Sequence, residues 1–68
     1  MMKFYIKAKV TVRVFGISGP FEYIASYLVN DNTVEHAKIK FEDQVKWDNR
    51  TKEADSFKFE YLEVASEI

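Results

Sequence analysis

His36 is the one histidine in the chain, and no cysteine accompanies it. The commonest metal ligands are therefore nearly missing, and no spaced carboxylate pair completes a site around the imidazole. On a helical wheel His36 projects away from its apolar neighbours Val34 and Phe41, which makes it an exposed polar residue. Acid–base catalysis needs a carboxylate or histidine of perturbed pKa inside a pocket. Gly16 and Gly19 belong to a turn and not to a phosphate-binding loop. The expectation is a protein that is not an enzyme and uses no metal or cofactor.

Chemistry of recognition is better represented. "KAKVTVRVF", residues 7–15, alternates Ala8, Val10, Val12 and Val14 with Lys7, Lys9, Thr11, Arg13 and Phe15. Extended back to Lys3, the pattern adds Phe4 and Ile6 to the apolar side and Tyr5 to the basic one. Cations interleaved with aromatics on a sheet suit either a protein interface or single-stranded nucleic acid. A solvated, salt-bridged face is the plainer alternative. Ile39 and Trp47 are a second candidate, because both lie off the helical core stripe, and an exposed tryptophan is a common interface anchor. The competing expectation, which we favour from sequence, is that the helix ends near Lys46 and Trp47 folds back over a small core.

The core is small of necessity. The chain has 68 residues, and a domain of that size buries only about 60% of its unfolded surface. Six Phe, four Tyr and one Trp compensate with large apolar side chains. Two Gly, one Pro and a 47% hydrophobic content argue against disorder. No apolar run reaches the roughly 18 residues of a membrane span, and "MMKFYIKAKV" lacks a signal core, so a cytoplasmic protein without membrane contact is expected. The net charge of −1 hides an asymmetry. Residues 1–20 carry Lys3, Lys7, Lys9 and Arg13 without an acid, whereas 53–68 carry Glu53, Asp55, Glu60, Glu63 and Glu67 against Lys58.

Periodicity orders the elements. Residues 3–15 read as a strand, 16–20 as a loop and 21–30 as a second strand. Asn32 with Glu35 three residues on forms a capping box, followed by the stripe Val34, Ala37, Phe41 and Val45. Residues 48–56 are a polar connection and 57–68 a third strand. In that strand Phe57, Phe59 and Tyr61 share one parity while Leu62 and Val64 take the other, which calls for a bulge near 61–62. A helical crossover makes the outer strands parallel to each other, with the first strand antiparallel between them. The fold class is α+β: one ββαβ domain over residues 1–68, with a three-stranded antiparallel sheet of order 2-1-3 and one helix on one face.

The hairpin register decides what shares the basic face. With Phe15 opposite Phe21, Arg13 faces Tyr23, Lys9 faces Tyr27, Val12 faces Ile24 and Ala8 faces Leu28. Lys7, Lys9 and Arg13 then lie beside Glu60, Glu63 and Glu67 of the third strand. The expected contact residues are Tyr5, Lys7, Lys9, Arg13, Tyr23, Tyr27, Ile39 and Trp47, with a protein as the partner. Single-stranded nucleic acid is the second choice, since the charge is slightly negative and an acidic strand would repel phosphate. The second strand, 21–30, carries a single charge, Glu22, and is expected to pair with its copy about Ala25 in a homodimer.

The basic strand, the segment "NDNTVEHAKIKFEDQV" and the acidic closing strand together resemble small phage-encoded accessory proteins, anti-CRISPR inhibitors among them. That resemblance covers most of the chain in architecture. It implies a stoichiometric binder of a host or defence protein, and it assigns no individual residue a role.

Overall fold

The computed structural model describes residues 2–14, 16, 19–50 and 54–67. Strand β1 (Met2–Val14), strand β2 (Phe21–Asp31), helix α1 (Val34–Asp48) and strand β3 (Ala54–Glu67) follow in chain order. They form one three-stranded sheet of order β2-β1-β3, with β1 antiparallel to both neighbours. The chain therefore adopts the α+β fold and the strand order expected from its pattern.

Each element follows from local chemistry. Thr33 is extended at φ −133°, and its hydroxyl accepts the His36 N–H at 3.2 Å, so α1 is capped one residue later than the expected Asn32. Asn32 is occupied otherwise, donating its own N–H to Asp31 Oδ1 at 2.6 Å. Glu35 consequently sits in the first turn as a charge complementing the helix dipole, without closing a box. Gly16 and Gly19 both adopt positive φ, near 80°, where a side chain would be strained.

The helix lays Ala37, Phe41 and Val45, all fully buried, against one face of the sheet. Beneath them β1 supplies a floor of Phe4, Ile6, Ala8, Val10, Val12 and Val14. The edge strands raise aromatic walls on either side: Phe21, Tyr23 and Tyr27 from β2, and Phe57, Phe59 and Tyr61 from β3. Phe41 drops between the walls, with its ring 5.8 Å from Tyr27, 6.3 Å from Phe59 and 6.0 Å from Tyr61. The molecule extends 43 Å along its long axis, whereas a 15-residue helix spans about 22 Å. Past the helix, Val12 and Val14 stay buried beside Phe21, Phe57 and Ala54, their cross-strand neighbours.

The expected bulge is present. Lys7 pairs with Glu63 and Ala8 with Tyr61, so Leu62 is the extra residue. A second shift, unforeseen from sequence, falls between Arg13 and Val14, where the partners pass from Ser56 to Ala54. Strand β3 also begins three residues before the expected Phe57.

Truncating the central ring should be costly. Phe41→Ala is expected to lower unfolding free energy by about 3–5 kcal/mol, a large part of the whole stability of so small a domain. Ile39→Ala, on the exposed side of the same helix, should change it by less than about 0.5 kcal/mol. Urea denaturation followed by far-ultraviolet circular dichroism distinguishes the two.

Candidate functional site

Among the described residues, no second layer covers the sheet face opposite α1. That face carries Tyr5, Lys7, Lys9, Thr11 and Arg13 of β1, in the row of residues that alternates with the buried floor. From β2 the same face receives Glu22, Ile24, Ser26 and Leu28, the partners of Thr11, Lys9, Lys7 and Tyr5. From β3 it receives Glu60 and Glu63, opposite Lys9 and Lys7. Lys9 Nζ lies 3.5 Å from Glu22 Oε2, an oxygen that also accepts the Thr11 hydroxyl at 3.2 Å. A shallow depression of about 140 Å³ is lined by Lys9, Thr11, Glu22, Lys58 and Glu60, so cations and acids alternate around it. Arg13 departs from the expected glutamate pairing, because its partner on β3 is Ser56, and Glu67 pairs with Lys3 instead.

Tyr23 and Tyr27 are not on this face. The hairpin pairs Val10 with Tyr23 and Ile6 with Tyr27, three residues away from the expected register, and an odd offset turns a strand over. Phe15, whose expected place opposite Phe21 fixed that register, lies outside the described residues. The physical reason lies in β2 itself. Phe21, Tyr23, Ala25, Tyr27 and Val29 form an uncharged, largely aromatic side that meets a charge only at the strand end, Asp31, whereas the other side includes Glu22, Ser26 and Asn30. The aromatic side brings more apolar area to the core, and its hydroxyls reach polar groups at the helix end.

Those hydroxyls fasten α1. Asn49 Nδ2 donates to Tyr23 Oη and to the Val45 carbonyl, both at 2.8 Å. The Tyr27 hydroxyl donates to Asp48 Oδ2, and Gln44 Nε2 donates to the other carboxylate oxygen at 2.9 Å. An acid at a helix C-terminus is disfavoured by the dipole, and these two donors offset that. The hydrogen bond to Asp48, burial and the negative charge nearby push the Tyr27 phenol up to about 12. On the other wall the Tyr61 hydroxyl donates to Glu42, and Lys38 Nζ stands 5.0 Å from the ring centre. Burial first, and then Glu42, raise the Tyr61 phenol well above its ordinary value.

Trp47 does not fold back. The helix continues through Asp48, and the place at the end of the core is filled by Asn49, which is 2% exposed and bonded as described. Trp47 is left 61% exposed and Ile39 56% exposed, on the outward side of α1. The Arg50 guanidinium carbon lies 4.0 Å over the indole, and Arg50 Nη1 donates to the Trp47 carbonyl at 3.0 Å. The guanidinium thus covers part of one ring face, and the rest of the indole faces solvent. An Asn just past a helical stripe is a C-cap signal, and it could have foretold that Trp47 would be displaced.

A cluster that sequence reasoning missed stands where β2 meets α1. Asp31, 6% exposed, places Oδ2 2.7 Å from His36 Nδ1 and 3.1 Å from Lys40 Nζ. Burial opposes ionisation of Asp31, but the Asn32 N–H, Lys40 and His36 outweigh it and hold the carboxyl down at about 2. The spacing Asp31, His36, Lys40 across a helix start was the available signal, since i and i+4 share a helix face.

Among the described residues, no three His, Asp or Glu side chains come together as metal ligands, and no helix is long and apolar enough to cross a membrane. No protein-family model, curated protein or solved structure matches the chain.

The Asp31 cluster gives a pH signature. A carboxyl depressed on folding contributes stability above its ordinary value of 3.8, and that contribution is lost as pH falls through about 2. Asp31→Asn should therefore be less stable than the parent at pH 6, with the gap closing between pH 4 and pH 2. Urea midpoints measured across that range test it, and a gap independent of pH would contradict the geometry.

Proposed function

We propose that this chain is a non-enzymatic protein-binding domain and that its partner docks on the outward side of α1, at Trp47 and Ile39. The observation that carries the reading is the exposed indole. A domain this small is short of apolar core, yet its largest side chain lies outside, with the Arg50 guanidinium over its ring. Trp and Arg together are the side chains that most often dominate binding energy at protein interfaces. The surrounding helix positions mix signs, with Glu35, Lys38, Lys40, Glu42, Asp43 and Lys46 close to balance, which suits a protein better than phosphate. The likeness to phage-encoded accessory proteins points the same way, towards a stoichiometric inhibitor of a host or defence protein.

Single-stranded nucleic acid on the Tyr5, Lys7, Lys9 and Arg13 face is the weaker reading. Glu22, Glu60 and Glu63 stand beside Lys9 and Lys7 and neutralise much of the potential a phosphate would need.

The experiment uses the immobilised 68-residue chain against lysate from the source host, followed by titration of the purified captured protein in solution. One-to-one binding lost in Trp47→Ala and weakened in Ile39→Asp, but kept when Lys7, Lys9 and Arg13 are all changed to Gln, is the expected result. Blue-shifted emission from the single tryptophan on adding the captured protein should accompany it. Steeply salt-dependent binding to single-stranded DNA or RNA, abolished by the triple Gln variant, would instead favour the sheet face.

A further inference from the structure

The two edges of the sheet are built differently. Strand β3 presents Asp55, Lys58, Glu60 and Glu63 and is broken twice in register, at Leu62 and at Asp55. Charges and bulges are the usual protection of an edge. Two copies of the β3 edge would also repel one another through their excess of acids. Strand β2 has neither device: it runs Phe21–Asp31 in unbroken register with β1, and its charges are Glu22 near one end and Asp31 at the other. Asp31 is turned to His36 and Lys40, and the Asn30 carbonyl accepts Lys40 Nζ at 3.0 Å, which closes the far end. Between these ends the edge is uncharged, and along it runs a groove of about 370 Å³ lined by Tyr27, Leu28, Val29, Asn30, Lys40 and Gln44.

We infer that the β2 edge pairs antiparallel with the β2 edge of a second copy, about a twofold axis at Ser26, giving a six-stranded sheet. An antiparallel ladder alternates outward and inward backbone groups, so a twofold between identical strands must fall on a residue. The side chains choose which one. About Ser26, Ile24 lies opposite Leu28 of the second copy and Leu28 opposite its Ile24, joining four aliphatic side chains that are 52% and 56% exposed in the single chain. Glu22 then lies opposite Asn30 of the second copy, in the row that continues to its Lys3. On the helix side, small Ala25 meets Tyr27, and Tyr23 meets Val29 beside the groove. About Ala25, the centre expected from sequence, Leu28 would instead face the second copy's Glu22 and Ile24 its Ser26. The inversion of β2 is what shifts the centre by one residue. A twofold perpendicular to the sheet puts both α1 helices on one side, so the dimer offers two Trp47 surfaces in the same direction.

Sedimentation equilibrium of the full chain across micromolar to millimolar concentration tests this, and a mass rising towards twice that of the chain is expected. Ile24→Lys with Leu28→Lys should hold the mass at the monomer value, with circular dichroism and thermal melting unchanged because both positions are exposed. Leu62→Lys, on the other edge, should dimerise like the parent. The chain has no cysteine, so Ser26→Cys supplies a single thiol. Facing Cα atoms in such a pair lie about 4.5–5.5 Å apart, within disulfide reach, and mild oxidation should yield a covalent dimer. A parent that stays monomeric at millimolar concentration overturns the inference. So does a dimer that survives the two lysines, or a Ser26→Cys variant that fails to cross-link. Trp47→Ala should leave the mass unchanged, which separates this result from any failure of partner binding at α1.

Discussion

The structure depends on one ring. Phe41 is fully buried and touches both edge strands at once, through Tyr27 on β2 and through Phe59 and Tyr61 on β3. The floor level with those three rings is made of Ile6, Ala8 and Val10, aliphatic side chains that leave the space beneath the helix to be filled by the aromatic ring. Edge-to-face and tilted ring pairs are worth roughly 0.5–1.5 kcal/mol each beyond the area they bury. In a domain that buries so little of its unfolded surface, contacts of this kind decide whether a single helix stays on the sheet.

The same walls fix what the helix shows to solvent. Tyr23, Tyr27 and Tyr61 are half-buried, with ring bodies in the core and hydroxyls bonded to Asn49, Asp48 and Glu42. Three such tethers along α1 set its rotation about its own axis. Once Asn49 has bonded Tyr23 and the Val45 carbonyl, its buried side chain occupies the end of the core where an indole would have to pack. The exposure of Trp47 is therefore a consequence of capping, and it recruits Arg50 as a cover on its open side. The candidate binding surface is a by-product of how the core is sealed.

Much of this was readable in the residues. The alternation of β1 set its faces, the i, i+4 run of Ala37, Phe41 and Val45 set the buried side of α1, and the parity slip after Tyr61 located a bulge. These signals are intrinsic to one element. The hairpin register is not, because it depends on a loop whose length must be guessed, and a three-residue error carried Tyr23 and Tyr27 to the wrong face. Reading the two sides of β2 for charge would have corrected it. Tyrosine obscured the choice, being apolar enough for a core and polar enough for a surface. The Asp31 cluster was invisible for a different reason: it joins a strand end to a helix face, and no single periodicity spans both.

The bulge at Leu62 also explains why a basic beginning and an acidic end belong to one chain. Lys7 and Lys9 are two residues apart on β1, whereas their partners Glu63 and Glu60 are three apart on β3. Continued alternation after Phe57, Phe59 and Tyr61 would turn Glu63 towards the helix, beside the fully buried Ile6. A carboxylate there would bring no apolar contact to Ile6 and would leave Lys7 without its acid. One extra residue turns Glu63 to the open face and puts Val64 opposite Ile6 instead. Each exposed cation–acid pair is worth only about 0.2–1 kcal/mol, so the pairs do not hold the sheet together. They make one register of β3 better than its neighbours, and the bulge makes that register compatible with the core.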